Sequence, residues 1–300
     1  MMKHIVPDFY KAFHCKADAC QHTCCRGWEI DIDNTTAVQY QAMSGAIGDA
    51  LRASMVCDEE GNWQFKLSGS DERCPFLQPN GLCRLILTIG EKNLCDICTL
   101  HPRFFEVWET PSGSVELGGV GLCCEKSCEL LLVSDGPLQF VNSETKETFS
   151  FAELLAYIQL PIPVAQQMYE PKASTAYGQF VLDCLAQTEP INEIWTQQIQ
   201  LMQARADSLL QQMTMVIQKG LLSHWNRIYQ YILYRQLGQC DTWPIDVVTA
   251  YAHMNTTFIL LTYLQTGCLQ EAIRSWSEQI EYDTENVAVL LDMLAYDISS

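Results

Sequence analysis

Beyond about residue 135 the apolar positions recur at helical spacing, and seven helices are predicted, near 151–159, 174–187, 191–218, 221–237, 245–266, 268–281 and 285–297. Gly220, Gly238 and Gly267 stand where helices should stop, and Thr284 precedes an apolar run as an N-cap would. Short connections favour antiparallel neighbours, hence a helical bundle or layer. Before residue 135 the pattern is mixed. Residues 35–57 place Val38, Met43, Ile47 and Leu51 at roughly helical intervals behind Asn34 or Thr35, while Trp63, Phe65 and Leu67 alternate as a short strand at 62–68. Residues 104–109 and 114–119 read as strands around the turn Thr110-Pro111-Ser112-Gly113. The fold class predicted is α+β: a cysteine-rich, metal-organised domain with small β elements at 1–135, then an all-α domain at 136–300.

Composition sharpens this division. The 300 residues carry 15 cysteines, and those at 15, 20, 24, 25, 57, 74, 83, 95, 98, 123, 124 and 128 precede the helical region. Cys184, Cys240 and Cys268 follow among apolar residues and read as packed small hydrophobes. An odd count excludes a complete disulfide framework. Met1 to Phe13 carries Lys3, Asp8 and Lys11 and lacks the apolar core of a secretory signal, so reduced thiols in the cytoplasm are expected. Clustered thiols in a reducing compartment imply zinc or an iron–sulfur centre. The net charge of -18 disfavours nucleic acid and favours cationic partners, although an acidic surface is also an ordinary solubilising one. The longest apolar run, Phe258 to Leu264, is far too short for a membrane span.

The thiols fall in three constellations. In the first, Cys15-x4-Cys20-x3-Cys24-Cys25, a helix would put Cys20 and Cys24 on one face with Cys25 about 100° away, so either the segment turns irregularly around a centre or the paired thiols serve different centres. In the second, Pro79-Asn80-Gly81 makes a turn that folds Cys83 back toward Cys74. In the third, pairing Glu109 with Ser114 and extending the ladder outward brings Cys95 and Cys98 to the same end as Cys123, Cys124 and Cys128, with Cys98 beside Cys124. His14 and His22 are expected to be outer residues rather than ligands.

Other chemistry is thin. Gly118-Gly119-Val120-Gly121 reads as tight packing sooner than as a ligand loop. Trp225, Tyr229, Tyr231 and Tyr234 read as bundle core, with an aromatic lysine channel as the lesser alternative. Glu106, Glu109, Glu116 and Glu125 are ordinary strand carboxylates or a guide for a cation, and His224 and His253 are packing or surface residues.

Taken in order, Cys15-x4-Cys20-x3-Cys24-Cys25-x-Gly27-Trp28 with Asp31-Ile32-Asp33, Cys74-Pro75-Phe76-Leu77 with Gly81-Leu82-Cys83, Leu87 to Glu91, Cys98-x3-Pro102-Arg103, and Leu122-Cys123-Cys124-Glu125 resemble the flagellin lysine N-methylases. These are similar in turn to a wider cysteine-cluster family of zinc- or iron-chelating proteins. Tyr229-Gln230-Tyr231-Ile232-Leu233-Tyr234 and Ser277 to Leu291, with Ile280-Glu281-Tyr282-Asp283, extend the resemblance more softly along the chain. The resemblance implies a cytoplasmic methyltransferase that moves methyl from S-adenosylmethionine to flagellin lysines. It also implies an iron–sulfur cluster, [4Fe-4S], with zinc as the alternative, on Cys15, Cys20, Cys24, Cys25, Cys74, Cys83, Cys98 and Cys124. Cys95, Cys123 and Cys128 are additional to that pattern. Two other readings are an iron–sulfur electron-transfer protein and a zinc-organised, non-catalytic adaptor.

Overall fold

The computed structural model describes residues 3–111, 113–134, 136–172, 174–218 and 223–299. The chain divides into two compact units, His14–Arg103 and Met1–Phe13 together with Phe104–Ser300. The division at 135/136 read from the sequence is replaced by this one. Asp135 itself, like Ser112 and Gly220, lies outside the described residues.

The physical reason is strand pairing. Strand Lys3–Pro7 lies at the centre of a five-stranded sheet, parallel to Gly113–Val120 and antiparallel to Gln139–Asn142, with Arg103–Thr110 and Thr148–Ser150 at the edges. The hairpin therefore belongs to the larger unit. That unit is not all-α, because Gln139–Asn142 and Thr148–Ser150 are strands; short alternating runs beside Thr, Ser and Glu carried too weak a signal against the helical periodicity that follows.

The helices agree closely with expectation: Phe151–Tyr157, Thr175–Leu185, Ser223–Arg235, Ile245–Thr266 and Thr284–Ser299. The segment expected at 191–218 is two helices, Glu193–Ala204 and Ala206–Gln218, broken at Arg205. The segment expected at 268–281 is Leu269–Trp276 followed by a π-helical turn, Ser277–Glu281. Asp283, not Thr284, caps the last helix, its carboxylate accepting from the N–H groups of Glu285 and Asn286 at 2.9 and 3.0 Å. Gly267 ends Ile245–Thr266 in the left-handed conformation, φ +76°.

Ile245–Thr266 is buried along most of its length and forms the axis of the bundle. Trp225, Tyr229, Tyr231 and Tyr234 are core residues, as the periodicity suggests, and their burial leaves no open aromatic channel at those positions. Gly118 and Gly119 do mark tight packing: a Cβ at Gly119 would lie 2.4 Å from the Phe104 ring. His224 and His253 are packing residues, bonded to the carbonyls of Leu132 and Glu170.

The smaller unit has its own core of Ile30, Ile32, Tyr40, Leu51, Phe65, Phe76 and Leu85, with Cys74 and Cys95 buried among them. A three-stranded sheet, Asp31–Ile32, Trp63–Phe65 and Met55–Cys57, backs it. The helix expected at 35–57 is two helices, Asn34–Ala42 and Gly45–Ser54, and its last three residues are strand. Gly45, at φ +78°, makes the break. Asp33, rather than Asn34 or Thr35, caps the first of them, with Thr36 N–H at 2.8 Å.

Candidate metal centre

The first constellation is not helical beyond the single turn Ala17–Ala19; from Cys20 the chain runs irregularly to Trp28. That favours the irregular-turn alternative. The Cys25 carbonyl accepts from Cys74 N–H at 3.0 Å, which ties this turn to the second constellation. There the expected knuckle forms: Gly81, at φ +82°, donates to Gln78 O at 2.9 Å, and Leu77 bridges Cys83. Cys83 stands at the start of helix Arg84–Ile89, and Cys95 at the start of Asp96–Leu100.

Helix Asp96–Leu100 also overturns part of the hairpin reading. Ser114 donates to the Glu109 carboxylate at 2.9 Å, so those positions face each other across the turn. The ladder nonetheless ends at Arg103 and Val120, because both flanks turn helical, as Asp96–Leu100 and Glu125–Leu132. Cys98 and Cys124 are not joined by a ribbon, and each belongs to its own unit.

Within His14–Arg103 the thiols of Cys25, Cys74, Cys83, Cys95 and Cys98 lie in one another's electrostatic field. Cys24 donates a hydrogen bond to Cys25, holding that thiol down at about 7 against the effect of burial. Cys98 donates to Cys95, which lowers Cys95 and, with burial, raises Cys98. Burial pushes Cys74 up to about 12 and raises Cys83 as well. Cys95, additional to the sequence pattern, is thus in range of the group; its spacing of three residues from Cys98 was the local hint. Cys15 and Cys24 are exposed and Cys20 partly so, with Cys15 accepting from Ala17 N–H and Cys20 donating to His22 O.

None of the fifteen cysteines forms a disulfide. Among the described residues no three His, Cys, Asp or Glu side chains converge closely enough to hold a metal ion as they stand. The donor chemistry nevertheless fits a soft metal. Cys74 and Cys95 are buried in the apolar core of the unit and Cys25 and Cys83 pack against it, so burial resists ionisation of Cys74 and Cys83, and a cation placed beside these thiols would reverse that resistance.

Beside this group opens a cleft of about 470 Å³ whose lining includes Glu29, Asp31, Asp33, Asp58, Asp96 and Trp63. Asp96 and Ile97 form part of its wall and sit between Cys95 and Cys98. Asp33 links cleft and thiols, its carboxylate accepting from Thr36 N–H at 2.8 Å and Asp96 N–H at 3.1 Å. Burial alone would raise Asp33, but those two N–H groups outweigh it and hold the carboxyl below its usual range. Its contribution is therefore present at neutral pH and lost as pH falls through the depressed value. Asp33→Ala is expected to cost about 1–2 kcal/mol in urea unfolding at pH 7, and Asp33→Asn less, since an amide oxygen still accepts. Equal losses for the two variants would refute the capping role.

The chain shares 29% identity over 153 residues with proteins named Lysine-N-methylase from Salmonella choleraesuis and Salmonella typhimurium, covering 49% of this chain and 37% of each of those proteins. The chain is similar to the lysine N-methylases. It is also 35% identical over 101 residues to the flagellar biosynthetic protein FliU of Salmonella muenchen, covering 32% of this chain and 60% of that one. The match to the lysine N-methylases thus reaches little more than a third of their length. No family model and no solved structure matches the chain. Among the described residues no helix is long and apolar enough to cross a membrane.

Proposed function

We propose that the chain is a protein-lysine N-methyltransferase that uses S-adenosylmethionine to methylate flagellin and carries a [4Fe-4S] cluster on the thiols of the His14–Arg103 unit. The observation that carries this reading is the grouping of five thiols whose Cys95–Cys98 segment also walls an acidic cleft. Similarity to the lysine N-methylases supports the reaction, and the FliU likeness supports a flagellar substrate.

Four of Cys25, Cys74, Cys83, Cys95 and Cys98 would hold the cluster, and the family resemblance adds Cys15, Cys20 and Cys24 of the same unit as further candidates. When bound, such a cluster supplies Lewis-acidic or redox-active iron. The cleft residues act on the substrate. Glu29, Asp31 and Asp96 attract a lysine ammonium, and Trp63 offers an aromatic face to its carbon stem. Capture and reaction pull in opposite directions, because carboxylates favour the charged amine whereas methyl transfer needs its lone pair. The rate should therefore climb steeply, by up to about tenfold per pH unit, below the ordinary lysine value of about 10.4. A rate that stays flat between pH 7 and 9 would show that the amine is deprotonated within the site.

The direct test is anaerobic purification, analysis for iron and acid-labile sulfide, and incubation with S-adenosylmethionine and unmodified flagellin. Mass increments of one methyl group on flagellin lysines are expected. Stoichiometric zinc without sulfide would replace the cluster by a zinc centre. Absence of methylation by metal-replete protein with several flagellins would reject the catalytic reading.

A further inference from the structure

Two motifs, Tyr229–Tyr234 and Ile280–Asp283, have no part in the chemistry proposed above, yet both converge on one short turn of the larger unit, Val120–Cys124. The Tyr231 hydroxyl donates to Val120 O at 2.6 Å and accepts from Val120 N–H at 2.8 Å. Leu122 N–H donates to Glu281 Oε2 at 3.1 Å, and Leu122 O accepts the Cys128 thiol at 2.9 Å. Gly121, between them, has no room for a side chain, since a Cβ there would lie 1.8 Å from the Tyr282 hydroxyl.

Glu281 closes the π-helical turn and its side chain is 0% exposed. It accepts the Ser277 hydroxyl and faces Arg235 Nε at 3.2 Å. The Arg235 guanidinium packs 4.0 Å from the Phe104 ring centre and 5.3 Å from that of Tyr282, and its Nη1 is buried without a hydrogen-bond partner. A neutral acceptor would satisfy Leu122 N–H without desolvating two charges. What the ion pair adds is a fixed direction for the carboxylate, and through it a fixed path for the turn. The turn ends in a vicinal thiol pair. Cys123 is buried with the Tyr282 hydroxyl donating to its sulfur, and Cys124, the more exposed, begins helix Glu125–Leu132.

We infer that Glu281 and Arg235 are positioning residues that decide which of two vicinal thiols the larger unit presents to thiophilic reagents, holding Cys124 outward and Cys123 behind Tyr282. The inference stands apart from the preceding reading, whose centre lies on the thiols of His14–Arg103, because the orientation of the pair does not depend on a bound metal.

The test is timed alkylation of the full-length, as-purified chain with N-ethylmaleimide, each cysteine being followed by peptide mass. Glu281→Gln, the paired Glu281→Gln/Arg235→Met and Tyr231→Phe are compared with wild type. In wild type Cys123 should react at least about tenfold more slowly than exposed Cys268. The Glu281 variants should accelerate Cys123 by about tenfold or more, and Tyr231→Phe by less, while fully buried Cys128 stays protected. The paired variant leaves no buried unpartnered charge, and Tyr231→Phe keeps the ring, so a failure of Glu281→Gln to fold still leaves two decisive variants. Unchanged Cys123 protection in the folded variants would overturn the inference. So would opening of Cys123 and Cys128 together, because the pair would then hold the fold and not the turn. Metal is assayed on the same samples: a wild-type chain that binds none would sink the proposed centre and leave the alkylation result readable.

Discussion

Cys98→Ala should strip most of the metal from the chain and unfold the His14–Arg103 unit, whereas Cys57→Ala should leave both intact. Cys98, although exposed, hydrogen-bonds Cys95 and lies in the fields of Cys95, Cys74 and Cys25, whereas Cys57 is exposed at the end of a strand. The unit has a small core and relies on turns through much of residues 14–30 and 66–83. In such a unit metal binding is part of the folding free energy, about 10–16 kcal/mol for structural zinc in small domains, so loss of one ligand removes several kcal/mol. Iron, zinc and sulfide analysis together with near-UV circular dichroism would check it. A Cys98→Ala chain with full metal content and unchanged melting would refute the assignment of Cys98. The effect should be mimicked in wild type by acidification, because thiolate ligands must shed protons to bind and regain them as pH falls.

Arg227→Ala should destabilise the larger unit by about 3–5 kcal/mol, on the order of a 10 °C drop in melting temperature. The side chain is 2% exposed. It pairs with Asp8 at 2.7 Å, donates to Leu131 O at 2.9 Å and Pro137 O at 3.3 Å, and lies over the Phe9 ring. Removing it leaves a cavity, two carbonyls short of a donor and a half-buried carboxylate. Arg227→Lys can keep the Asp8 pair but cannot fork to three acceptors, so it should recover only part of the loss. A change below about 1 kcal/mol for Arg227→Ala would show that water takes over these contacts.

The sequence made the bundle and the second knuckle legible for the same reason: each is written in local rules. Seven helical segments follow apolar spacing, and Pro79-Asn80-Gly81 encodes its own turn. What escaped depends on partners distant in sequence. Nothing near Lys3–Pro7 announces that it pairs with Gly113–Val120 and Gln139–Asn142, and without that pairing the hairpin appears to belong with the cysteines. The outward extension of the hairpin failed where Asp96–Leu100 preferred helix to ladder. Of the thiols assigned by resemblance, Cys25, Cys74, Cys83 and Cys98 lie in electrostatic range of one another or of Cys95, without three of them converging as ligands among the described residues, while Cys124 lies in the other unit beside Cys123 and Cys128. The sequence singled out Glu281 only as part of the Ile280–Asp283 motif; its pairing role stayed hidden, because an acidic residue in a helical stretch reads as solvated surface until its burial is seen.

The central position of Lys3–Pro7 sets an order of assembly during synthesis. That strand leaves the ribosome well before both its neighbours, Gly113–Val120 and Gln139–Asn142, which come more than a hundred residues later. Between them the whole of His14–Arg103 is made as one uninterrupted stretch with its own core. The cysteine unit can thus close, and take up the proposed metal, while the strand that precedes it is still waiting for a sheet to join. Metal supply would then act on the nascent chain, ahead of the helices that follow.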